Sequence, residues 1–130
     1  KTYTIHHGGN HAQLGAAWVM RETRNGPVAR AVLYHVYWPF AEKDDDLLNP
    51  DIFMVMAIIY ADKRTRHDVY VSLDERYEDL VERYGVTDFI IHRIARSLEQ
   101  GKRIEAAFSR LLGVKLNECI VDRGRLVERT

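Results

Sequence analysis

The chain reads as an α/β or α+β domain, a small sheet covered by about three helices, with a mostly helical fold as the alternative. Three observations lead there. Of 130 residues, 46% are hydrophobic and 29% charged, the balance of a soluble globular chain that can bury its own core. The second half repeats its apolar residues at helical spacing behind clear caps. The first half and the tail instead carry short β-favouring runs broken by turn residues.

Lys1–Ile5 alternates as a strand would, and His6-His7-Gly8-Gly9-Asn10 ends it in a glycine-rich turn. Asn10 and Gln13 have capping spacing, so residues 11–23 are expected as a helix stopped by Asn25-Gly26. In 28–38, Val28, Val32, Tyr34, Val36 and Trp38 fall on even positions, which favours a strand. Asn49-Pro50-Asp51 looks like a helix start, yet Ile52–Tyr60 is apolar on every side and is read here as a strand. The polar stretch Asp62–Asp68 before Val69–Ser72 would then be a hairpin tip. Ser72-Leu-Asp-Glu75 is a capping box, and Leu73, Tyr77, Leu80, Val81 and Tyr84 share one face, so 74–84 is a helix. Thr87 caps the next helix, 88–112, which runs through Gly101 or bends there. The tail folds back around Asp122-Arg-Gly-Arg125 as a hairpin, its edge available to the earlier strands. Without a repeat or a linker, residues 1–130 are taken as one domain.

Charge removes several function classes. Nineteen basic and nineteen acidic residues cancel, so no bulk attraction to nucleic acid or anionic lipid follows. One cysteine, Cys119, forms neither an internal disulfide nor a cysteine-based zinc site. No apolar run spans a membrane and no signal-like segment opens the chain, so a cytoplasmic protein without membrane partners is expected.

The neutral total conceals two charged helices. Residues 89–115 hold Arg93, Arg96, Lys102, Arg103, Arg110 and Lys115 against Glu99 and Glu105, an excess of four positive charges. Residues 74–82 hold five carboxylates against Arg76, a deficit of four. Arg96, Arg103 and Arg110 are seven apart and form a stripe on a continuous helix, drifting about 20° per heptad. Guanidinium groups so spaced can grip phosphates or a carboxylate-rich protein surface. Aromatic residues left exposed beside them would complete a binding hot spot. The macromolecule-binding candidates are therefore Arg93, Arg96, Lys102, Arg103 and Arg110. A helix-turn-helix over 93–112 would put Gly101 at the turn, but Arg96 and Gln100 fall where that motif buries apolar residues.

A second candidate is the anion loop His7, Gly8, Gly9, Asn10 and His11, whose free backbone N–H groups at a helix start suit a phosphate or carboxylate. His7 and His11 are also four apart, a metal-ligand spacing if both sat on one helical turn. His35 and His92 read as structural and His67 as solvated. Asp44-Asp-Asp46 lacks the spacing of a calcium loop, and no G-x-S-x-G elbow or activated thiol appears. No cofactor is implied. The expectation is a small non-enzymatic binding or regulatory protein, self-associating, that docks a protein or nucleic-acid partner through the arginine helix. The alternative is a small anionic-ligand-binding protein or metal-dependent enzyme built on His6–His11.

Overall fold

A computed structural model describes residues 11–40 and 43–128. These form five α-helices and two separate two-stranded antiparallel sheets, so the fold is mixed α and β, mostly helical, with more helices than the three expected. The expected strand at Lys1–Ile5 lies outside the described residues.

Helix α1 (His11–Thr23) turns through Arg24 and Asn25 into α2 (Gly26–Leu33), and the two pack as a hairpin. The strand expected over 28–38 is thereby corrected. Asn25 Oδ1 accepts the Val28 N–H at 3.1 Å and Pro27 presets the first turn, which together start a helix. The even positions Val28 and Val32 are also one helical turn apart. Only 34–40 is irregular, and there Tyr34, Trp38 and Phe40 pack edge to face.

The strand expected over Ile52–Tyr60 is likewise a helix, α3 (Phe53–Lys63). Its entry is the Asn49-Pro50-Asp51 signal: Asn49 Oδ1 accepts the Asp51 N–H at 2.9 Å, and the Ile52 N–H bonds the Asn49 carbonyl. Val55, Met56, Ile59 and Lys63 share its buried side, while Met54 and Ile58 stay exposed. The hairpin after it is short, β1 (Thr65–Arg66) against β2 (Val69–Tyr70), because α3 takes the residues a longer arm would need.

Helices α4 (Leu73–Tyr84) and α5 (Asp88–Leu112) begin where their caps place them, with Ser72 Oγ accepting Glu75 N–H at 3.0 Å and Thr87 Oγ1 accepting Ile90 N–H at 3.2 Å. Helix α5 is unbroken through Gly101, so no helix-turn-helix forms. A Cβ at Gly101 would lie 2.8 Å from Lys63 Cδ; the glycine lets the lysine stem cross the helix. The tail hairpin pairs β3 (Cys119–Asp122) with β4 (Arg125–Glu128), Asp122 opposite Arg125. Its tip, Arg123 and Gly124, has φ of 50° and 75°, the signature of a tight two-residue turn whose twist matches the strands. This sheet joins neither β1 nor β2.

The core lies between α3 and α5, where Val55, Met56, Ile59, Ile104, Ala107 and Phe108 are sealed by Trp38, Leu47 and Leu116. Arg64 closes one side of it. Its guanidinium donates to the carbonyls of Val71 (2.7 Å), Leu116 (2.7 Å) and Cys119 (2.8 Å), to Tyr60 Oη (2.6 Å) and to Glu105 (3.3 Å). Burial and the Glu105 carboxylate that Tyr60 bonds both hold the Tyr60 phenol above its usual range.

Candidate functional site: an arginine-flanked cleft

The segment 34–40 has no repeating backbone bonds of its own, so side chains of α5 supply them. Gln100, buried in mid-helix, accepts the Trp38 N–H at 2.9 Å and donates to the Trp38 carbonyl at 2.7 Å. Two donors share the Val36 carbonyl, Ser97 Oγ at 3.1 Å and Lys63 Nζ at 2.5 Å. These bonds hold Val36 and Tyr37 beside α5.

Between that segment, Leu80 of α4 and the first half of α5 lies a cleft of about 280 Å³. Val36, Leu80, Ile90 and Ile94 make its surface apolar, and Arg93, Arg96 and Ser97 supply its polar groups. Both arginines rest on aromatic rings. Arg96 stands 5.5 Å from the centroid of Tyr37, with Nη2 3.4 Å from the phenol oxygen; Arg93 stands 5.8 Å from the centroid of Phe89. Stacking restricts the rotamers of the two long side chains. Phe89 is itself 70% exposed, as a contact residue would be.

Lys63 sits behind the cleft with 6% exposure. Burial pulls its ammonium down to about 8; the Asp62 charge acts against this shift and the Arg76 charge adds to it. It borders a smaller void shared with Arg76, Leu80, Ile94 and Ser97.

The five basic residues expected to bind together are dispersed along α5. Arg93 and Arg96 meet at the cleft. Lys102 pairs with Asp74 of α4 at 2.9 Å, Arg103 is half-buried, and Arg110 is exposed roughly 21 Å along the axis from Arg96. On α4, Asp79 is taken by Arg76 and Arg83 at 3.1 and 2.7 Å.

Of the anion loop, His7, Gly8, Gly9 and Asn10 lie outside the described residues, and His11 opens α1. His11 Nε2 lies 3.2 Å from Nε2 of His35, a residue the sequence marks only as structural. Among the described residues no group of three His, Cys, Asp or Glu side chains is placed to hold a metal, and no helix is long and apolar enough to cross a membrane. Cys119 is buried, with its thiol 3.2 Å from the Lys115 carbonyl.

Sequence reasoning missed Val36, Tyr37, Leu80 and Ser97 as cleft residues. The Phe89 and Arg93 stack was legible as an i, i+4 pair; the approach of Tyr37 to Arg96, 59 positions apart, had no local signal. No protein-family model matches the chain, and no curated protein or solved structure matches it either.

Proposed function

We propose that this chain is a non-enzymatic binding protein that docks a protein partner through the first half of α5. The partner presents an apolar side chain for the cleft and a carboxylate or phosphate beside it for Arg93 and Arg96. The observation that carries this reading is the meeting of two ring-stacked arginines at an apolar cleft of about 280 Å³. That volume lies just below the usual range for whole small-molecule sites, roughly 300–1,000 Å³, and suits one or two side chains of a larger partner. Tyr, Phe and Arg at its mouth are residue types that dominate protein interfaces.

A protein is favoured over a nucleic acid by the neighbouring helix. Asp74, Glu75, Glu78 and Glu82 are exposed on α4, the helix that brings Leu80 to the cleft, so a polyanion laid across it would run over an acidic helix. A short acidic and apolar segment avoids them. The rival reading, an anionic ligand or metal-dependent activity at His6–His11, rests on residues of which only His11 is described.

Selection of displayed random peptides on the immobilised protein tests this function. Enriched sequences should carry Asp or Glu next to an aromatic or large aliphatic residue, and should not enrich on the Arg93→Glu, Arg96→Glu double variant. Equal enrichment on both proteins, or binding only to single-stranded nucleic acid with a steep salt dependence, contradicts it.

A further inference from the structure

The contact between His11 and His35 is unrelated to the cleft and has its own chemistry. His11 is the first residue of α1 and His35 follows the end of α2, so the pair spans the open end of the helical hairpin. Their Nε2 atoms are 3.2 Å apart, with ring centroids at 5.0 Å and planes at 70°. Two imidazoles on one tetrahedral ion, with N–metal bonds of about 2.0–2.1 Å, have nitrogens roughly 3.3 Å and centroids roughly 5.2 Å apart. Rings meeting head-on at the observed nitrogen distance would have centroids roughly 5.5 Å apart, so the two rings are tilted from head-on, as two ligands of one ion are.

The outer contact of His35 has the arrangement that ligating histidines use. Its Nδ1 is 2.7 Å from the Val32 carbonyl. A carbonyl only accepts, so Nδ1 carries the proton and the Nε2 lone pair is directed at His11. A histidine that ligates through one nitrogen characteristically donates the other N–H to such a carbonyl or to a carboxylate.

We propose that His11 and His35 form a two-imidazole site for a late first-row divalent metal ion, zinc foremost, that latches the start of α1 to the end of α2. Imidazole donors suit zinc, copper and nickel, whereas calcium and magnesium require oxygen. Each imidazole offers its Nε2 lone pair to the ion. The remaining coordination positions take water or a further donor.

Calorimetric titration of the full chain with zinc chloride, in buffer free of chelators, tests the site. One zinc per chain should bind, and His11→Ala and His35→Ala should each weaken it at least tenfold while the far-ultraviolet circular dichroism is unchanged. A His67→Ala, His92→Ala double variant should bind as the parent does. Absence of binding, or binding that His35→Ala leaves intact while a His6→Ala, His7→Ala pair removes it, overturns the proposal. A second measurement needs no variant: zinc should shift the Nε2 resonances of His11 and His35 in imidazole 1H–15N spectra of the parent, and shifts confined to other histidines overturn the site.

Discussion

Lys63 keeps its ammonium almost out of water, with the Val36 carbonyl as its hydrogen-bond acceptor. Its pKa falls from 10.5 to about 8, so the folded state holds this proton less tightly than the unfolded chain. Between those values the unfolded chain binds more protons, and stability rises with pH. The full difference corresponds to about 3 kcal/mol, which the charged form costs below pH 8. Lys63→Met should therefore raise stability at neutral pH, since Ser97 still satisfies Val36. In urea unfolding, the parent should gain about 2 kcal/mol on the variant between roughly pH 7.5 and 9.5. A constant gap across that window contradicts the burial argument. Neither the partner of Lys63 nor that of Gln100 was legible in the sequence. Gln100 bonds a backbone 62 positions away and Lys63 one 27 positions away, contacts created by the fold rather than by local spacing.

At the scale of elements, legibility followed the caps and the apolar period. Helix α5 has the bounds expected because Thr87 opens it and Gly113, with φ of 71°, ends it. The tail hairpin was expected from the loose alternation around Asp122-Arg-Gly-Arg125, and Gly124 readily takes one of the two positive φ values at its tip. Helices α2 and α3 were misread. Asn49-Pro50 signalled a helix and Asn25-Gly26 was read only as the stop of the one before, while alternation and unbroken apolarity suggested strands. In α2 the Asn25 cap decided; in α3 no side chain caps the first turn, and the turn from Asn49 to Ile52 leads the chain into the helix. Thr87 also matters to the site, because its hydroxyl fixes the turn that carries Phe89, Ile90 and Arg93. Thr87→Ala should cost about 1 kcal/mol, and Thr87→Asp should retain most of it. Thermal unfolding that does not distinguish Thr87→Ala from the parent would show that the cap is not limiting.

Across the whole molecule, Arg64 joins α3, α5, the residue after β2 and the tail. Its side chain is 12% exposed, and five bonds converge on it. Arg64→Leu would leave the Glu105 carboxylate and three carbonyls without this donor and should cost about 3–5 kcal/mol in urea unfolding. Arg64→Lys should recover little, because an ammonium cannot reproduce the planar fork. A cost below about 1 kcal/mol for Arg64→Leu would mean the tail is held by packing alone. Charge is organised at this scale too. The acidic α4 and basic α5 were evident from counting, and Lys102 with Asp74 shows part of that charge paired across the helices. Counting could not show that Arg93 and Arg96 would converge on Val36 and Tyr37 while Arg110 stands far along the axis, since that depends on where the 34–40 segment is fastened.

In the proposed docking the cleft, rather than the charge of α5 as a whole, recognises the partner. The most direct measurement is the affinity of a display-selected acidic and apolar peptide for three proteins by calorimetry: the parent, Arg93→Glu with Arg96→Glu, and Lys102→Glu with Arg110→Glu. A loss of at least about tenfold is expected for the first pair and less than about threefold for the second, because charge-assisted contacts at a built site outweigh distant charge. Equal losses for the two pairs would contradict it and return the binding to the helix's net charge.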